Sequence, residues 1–169
     1  MRLFEHPILQ RVVELGAPHP EDIVITHGSA LVIYGIREKN PRGDIDIVTT
    51  KQNITYLQEI LGWKEVPRTI GYDKAGVPKT VSRTVSLDGE FDVYLHDFVA
   101  AWAKEQGQGR VQLSRLKEFS EQDRATGIWV AMPQFVRLTK EKSPRQKDID
   151  DIVLIDTYLE RLKHEAREP

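Results

Sequence analysis

The chain has 169 residues, with 24 Lys and Arg against 26 Asp and Glu, a formal net charge of -2 and no cysteine. The lack of cysteine excludes a disulfide scaffold, a thiol nucleophile and a cysteine-ligated metal centre. The near-neutral charge argues against a protein that coats DNA. No apolar run has the form of a signal peptide or a membrane span, so we expect a cytoplasmic protein without membrane contact.

Alternating helices and strands predict an α/β fold, a small mixed sheet flanked by helices with further helices at the C-terminus. Helical spacing predicts a first helix over 4–15, and a β-branched run predicts a strand over 22–27. Ser29 is expected to cap the next helix, which runs through Tyr34. Residues 110–127 are polar and give no assignment. The other predicted elements are a turn at 40–43, strands at 44–48, 63–72, 79–87, 91–95 and 127–132, and helices at 51–61, 97–106, 133–142 and 145–164.

These elements predict one domain over 1–169, with a core over 22–100 and a C-terminal part over 127–164.

Three aspartates fall on two of the predicted strands. Asp44 and Asp46 are two residues apart, so both point to one face, with their Cα atoms about 7 Å apart. Asp92 lies on a later strand, and the three carboxylates converge if the two strands are neighbours. Two carboxylates at about 4 Å repel by about 4 kcal/mol at an effective dielectric near 20, so a cation such as Mg²⁺ would stabilise them. A solvated face of an edge strand would show the same alternation.

Gly28 and Ser29 stand between a predicted strand and a predicted helix. Glycine permits close backbone approach, and a helix start offers free N–H groups, so this junction is suited to a phosphate. Simple helix capping explains the same dipeptide. The order strand, Gly-Ser, helix, turn and strand with D-x-D is more specific than either part alone.

Residues 27–48, H-G-S-A-L-V-I-Y-G-I-R-E-K-N-P-R-G-D-I-D-I-V, resemble the signature of the polymerase-β-type nucleotidyltransferase superfamily. The resemblance is nearest to its abortive-infection toxin-type and antibiotic-type members. It implies that Gly28 and Ser29 hold the triphosphate of an NTP. It also implies that Asp44 and Asp46 bind Mg²⁺ or Mn²⁺ and act in catalysis.

The same resemblance implies a third metal-binding and catalytic acid from a later strand. Strand alternation favours Asp92, with Asp88 and Asp97 as competitors.

The C-terminal third is similar to a helix–helix stretch of the same toxin-type and antibiotic-type members. The resemblance favours Lys140 and Lys147 as catalytic residues that stabilise negative charge on the phosphates. Asp148 and Asp151 are neighbours on one helix and have two open interpretations, positioning a Lys or Arg or capping the helix. Further candidates for nucleotide binding near the D-x-D are Arg37 and Arg42.

The predicted function is Mg²⁺-dependent transfer of NMP from an NTP to an acceptor hydroxyl, with release of pyrophosphate. The favoured acceptor is tRNA or another RNA, as in toxin-type members, and a cognate antitoxin is an expected partner. A protein or a small molecule resembling an aminoglycoside is an alternative acceptor. The other alternative is a catalytically silent fold that serves as a partner or antitoxin protein.

Overall fold

The computed structural model describes residues 5–38, 43–95, 113–141 and 145–167. Their class is mixed α/β, as predicted. The helices are α1 (Pro7–Val13), α2 (His27–Ile33), α3 (Lys51–Glu59), α4 (Leu113–Glu118), α5 (Pro133–Lys140) and α6 (Gln146–Glu165), with a 3-10 turn at Pro20–Asp22. The strands are β1 (Val24–Ile25), β2 (Ile45–Thr49), β3 (Lys64–Tyr72), β4 (Pro78–Val85), β5 (Phe91–Leu95), β6 (Ser120–Gln122) and β7 (Trp129–Ala131).

The strands form one sheet in the order β3-β4-β5-β2-β1-β7-β6. β2 lies at its centre, parallel to β5 and antiparallel to β1. β1 is in turn parallel to β7. The two strands that carry the predicted acids are therefore hydrogen-bonded neighbours, as the prediction of a shared site requires.

Local sequence explains the elements around the centre of the sheet. Ile45 and Ile47 alternate with acids and are 4% and 1% exposed, so the apolar face of β2 is the core face, as predicted. α3 follows Thr50 and ends before Gly62, whose φ of 69° favours glycine. The turn between β4 and β5 contains Gly89 at φ 74°.

The core joins the sheet to the helices on its flanks. Trp63 stacks on Phe91 with ring centroids 5.3 Å apart. Ile155 of α6 is fully buried and Leu159 packs against the core, whereas Leu162 in the same predicted apolar stripe is 39% exposed, so the last turns of α6 leave the core. Within the described residues, no helix is both long and apolar enough to cross a membrane.

Several predicted boundaries differ from the structure. The strand predicted over 22–27 is only two residues long, because Pro20–Asp22 forms a 3-10 turn and α2 already begins at His27. The unassigned stretch 110–127 contains α4, which buries Leu113 and Leu116, and the strand β6. The helix predicted at 97–106 lies outside the described residues, as does most of the turn at 40–43.

Candidate active site

Two of the predicted acids share one face of the sheet, and the third lies close to them. Asp46 of β2 pairs in register with Asp92 of β5, so both point to the same side. Asp44 directly precedes β2, and its charge raises the pKa of Asp46. Asp92 is 3% exposed, whereas Asp44 and Asp46 are half-buried. The structure thus brings the acids of two distant segments to neighbouring positions.

Ser29 joins α2 to the strand that carries the acids. Its side chain is fully buried, and its hydroxyl donates to the Asp44 carbonyl and accepts from the Asp46 N–H, both at 3.0 Å. The Thr26 N–H donates to the Asp46 carbonyl at 3.0 Å. The prediction that Ser29 caps the helix is wrong, because Thr26 holds the N-cap position and Ser29 lies inside α2. Gly28 is buried beside it.

Two arginines from the β3–β4 hairpin reach the acidic face. Arg83 Nη1 lies 2.6 Å from Asp92 Oδ2, and Arg68 donates to the Tyr94 hydroxyl. Arg83 stands opposite Tyr94 in the sheet, so strand alternation puts it on the face that carries Asp92. Neither arginine is among the residues predicted from the sequence, although their positions in an alternating hairpin next to β5 are a usable signal.

Burial and the neighbouring acids perturb the protonation of Asp46. Burial, followed by the charges of Asp92 and Asp44, raises the pKa of Asp46 to about 7, against the opposing effects of Arg68 and Lys147. The carboxyl group is therefore about half protonated at neutral pH in the absence of a metal ion. A bound cation would stabilise its charged form.

The carboxylate oxygens of Asp44, Asp46 and Asp92 do not all lie within 4.8 Å of one another. Within the described ranges, the one group of three His, Asp or Glu whose ligand atoms all lie within 4.8 Å of one another is His19, Glu21 and Asp22. Asp22 of that group already forms an ion pair with Lys117 at 2.8 Å. A metal ion on the acidic face would have to draw its ligands closer, and on Asp92 it would compete with Arg83.

His27 begins α2 directly before Gly28 and has a φ of 52°, in the left-handed region. Non-glycine residues rarely adopt this conformation, although histidine tolerates it better than most. Burial, then the positive charges of Lys140 and Arg68, lower the pKa of His27 to about 4. The imidazole is therefore neutral at physiological pH and lies within the electrostatic reach of both α5 and the hairpin.

Lys140 is held by two acids at the junction of α5 and α6. Its ammonium group lies 3.0 Å from Asp148 Oδ1 and 2.7 Å from Asp151 Oδ2, and the three side chains are 9%, 7% and 1% exposed. Arg37 Nε approaches Asp151 at 3.2 Å. The cluster connects the segment after α2 to the C-terminal helices. Asp151 therefore positions a Lys and an Arg, which is the first of its two interpretations from the sequence.

Asp148 combines both roles that the sequence leaves open. It contacts Lys140 and also accepts the Arg145 N–H at 3.1 Å, which ties the N-cap residue to the first turn of α6. Burial alone would raise the pKa of Asp148, but hydrogen bonds from Arg145 and Lys140 hold it well below its usual range.

The remaining predicted residues have different positions. Lys147 is half-buried, and its charge acts on both Asp46 and His27, which places it near the acidic face. Asp88 serves the β4–β5 turn instead, where hydrogen bonds from Ser86 and from the Glu90 N–H lower its pKa. Two predicted candidates lie outside the described residues, Arg42 and Asp97.

Comparison of the chain with protein-family models, with curated proteins and with solved structures gives no match. The function is therefore argued from the geometry and chemistry of the acidic face.

Proposed function

We propose that the chain is a metal-dependent nucleotidyltransferase that moves NMP from an NTP to an acceptor hydroxyl. One observation carries the proposal: Asp46 and Asp92 lie in register on adjacent parallel strands, and Asp44, directly before β2, is close enough for its charge to act on Asp46. Ser29 supports this arrangement, because its two hydrogen bonds fix the backbone on both sides of Ile45.

The donor set is suited to Mg²⁺. Three carboxylates offer hard oxygen ligands, and the pKa of Asp46 is raised first by burial and then by the charges of Asp92 and Asp44, both of which a bound cation would offset. A cation held there would supply charge neutralisation for the phosphates and a lower pKa for the attacking hydroxyl. Asp44, Asp46 and Asp92 would hold it.

The other residues then have separate roles. Lys147 acts on the acidic face through its charge and would stabilise the phosphates in the transition state. Lys140 is tied to Asp148 and Asp151, so its first role is to fix α5 against α6. Gly28 would act through its backbone. The buried Ser29 hydroxyl binds β2, so it would position the acids rather than contact a phosphate.

One observation favours the alternative of a silent fold that acts as a partner protein. Arg83 already neutralises Asp92, and Arg68 lies near Asp46, so the acids can face one another without a metal. Charge balance alone therefore does not require catalysis. The two functions differ in whether a nucleotide is transferred.

The test uses each α-labelled NTP in turn, Mg²⁺ and total cell extract as the acceptor pool. Wild type and an Asp150→Asn control, altered at an exposed position of α6, should place label in the RNA fraction. An Asp44→Asn/Asp46→Asn variant should not.

Full transfer by the folded double variant would contradict the proposal. Label in protein or in small molecules would support a transferase whose acceptor is not RNA. Absence of both transfer and Mg²⁺-dependent NTP binding would favour the silent fold.

A further inference from the structure

The β3–β4 hairpin extends beyond the rest of the sheet. β3 is an edge strand, and β5 pairs with only the last three residues of β4, Arg83 to Val85. β3 and β4 pair with each other from Lys64 to the turn after Tyr72. Among the described strands, only β3 pairs with β4 beyond Arg83, so that part of the hairpin is two-stranded. We call residues 64–83, the two-stranded part with its base, the β3–β4 arm.

The outer part of this arm is exposed. Tyr72 is 69% exposed and Val77 is 56% exposed, and the turn between them, which carries Lys74, is exposed throughout. An isolated two-stranded ribbon is marginally stable in water. An exposed aromatic side chain on such a ribbon offers a flat surface to a ligand.

Charge is unevenly divided between the arm and the rest of the chain. The arm contains five Lys and Arg and two Asp and Glu, a net charge of +3, so the other residues together carry -5 of the total of -2. A local excess of positive charge in an otherwise acidic protein favours a polyanionic partner. The five bases are Lys64, Arg68, Lys74, Lys79 and Arg83.

The base of the arm reaches the candidate active site. Arg83 forms its ion pair with Asp92 there, and the charge of Arg68 lowers the pKa of Asp46. The base of the arm therefore places two of its positive charges beside the acidic face. A single strand bound along the arm would thus end close to the acids.

We propose that the β3–β4 arm binds the single-stranded end of the acceptor RNA. Lys74 contacts the phosphate backbone and Tyr72 stacks on a base, which is the combination of cations and aromatics that binds single strands without sequence preference. That the bound RNA is the acceptor rests on the proposed transfer reaction. Binding of RNA to the arm does not depend on that reaction.

The probe is a 12-nucleotide single-stranded RNA with a 5′ fluorescein, and fluorescence anisotropy gives its dissociation constant across NaCl concentrations. In Lys74→Gln, the slope of log affinity against log salt should fall by about 0.7, the value for one lost contact to a single strand. In Tyr72→Ala, affinity should fall about fivefold or more. Tyr72→Phe keeps the stacking surface and should bind like wild type.

Lys163→Gln is the matched control, because Lys163 is an exposed lysine of α6, and it should leave the salt slope unchanged. Wild-type affinity and slope in both Lys74→Gln and Tyr72→Ala would overturn the proposal, as would the absence of RNA binding by wild type. Loss of binding in these variants would support it even if the label-transfer assay is negative, in which case only the proposed function fails.

Discussion

Ser29→Ala tests how the acids are held in place. The Ser29 hydroxyl makes two hydrogen bonds with the backbone of β2, one to the Asp44 carbonyl and one from the Asp46 N–H. The side chain is fully buried, so water cannot replace these bonds without a local opening of the fold. Alanine has nearly the same volume, so the substitution removes the hydrogen bonds and leaves the packing almost intact.

The expected cost follows from the two backbone groups left without this partner. A buried group left unsatisfied costs about 1–3 kcal/mol, so the loss of two such bonds in Ser29→Ala should lower the free energy of unfolding by about 2–6 kcal/mol. This is a large fraction of the stability of about 5–15 kcal/mol that is usual for a domain.

Urea denaturation, monitored by circular dichroism, measures the change in the free energy of unfolding. Ser82→Ala is the matched control, because Ser82 is exposed and its hydroxyl bonds only to the side chain of Glu65; it should change stability by less than about 0.5 kcal/mol. A Ser29→Ala variant as stable as Ser82→Ala would refute the role of Ser29 as the support of the acidic face.

Three further predictions concern the charges around the site. Arg83→Gln removes the cation that pairs with Asp92, so affinity for Mn²⁺, measured by titration calorimetry without nucleotide, should rise about tenfold or more. Lys140→Met should cost about 3 kcal/mol in urea denaturation, because it leaves two buried carboxylates short of a partner, whereas Lys163→Met on the exposed face of α6 should cost little. The pKa of His27 falls from 6.5 to about 4 on folding, so the unfolded state binds the proton and stability should drop, by up to about 3 kcal/mol, as pH falls from 6.5 towards 4; His27→Asn should flatten this profile.

Distinct results would contradict each of them. Weaker Mn²⁺ binding in Arg83→Gln would mean that the guanidinium supports the metal site instead of competing with it. Equal costs for the two lysine variants would show that the cluster at α5 and α6 adds no stability. A His27→Asn profile parallel to that of wild type would assign the pH dependence to another group.

The sequence predicts the centre of the sheet well, because its signals there are local. The alternation of acids with apolar residues in β2 and β5 places Ile45, Ile47 and Val93 in the core, and the face that Asp46 and Asp92 share follows from it once the strands pair. Gly62 and Gly89 mark the ends of their elements through their positive φ values. The sequence does not predict that β2 and β5 are neighbours; the predicted site only requires it. Tertiary packing brings the two strands together.

The rest of the site depends on long-range contacts that no local pattern reports. The role of Ser29 depends on β2, which lies fifteen or more residues further along the chain. Arg83 meets Asp92 through strand pairing, and Lys140 meets Asp148 and Asp151 through helix packing. The short amphipathic signal of α4 is likewise too weak to be distinguished within a polar stretch.

Parallel reactions with α-labelled and γ-labelled NTP test the transfer chemistry most directly. The proposed function predicts that the α-label enters the acceptor RNA while the γ-label appears in pyrophosphate, and that both signals disappear when Asp46→Asn replaces wild type. Entry of the γ-label into the acceptor, or equal α-label transfer by folded Asp46→Asn, would contradict nucleotidyl transfer by the acidic face.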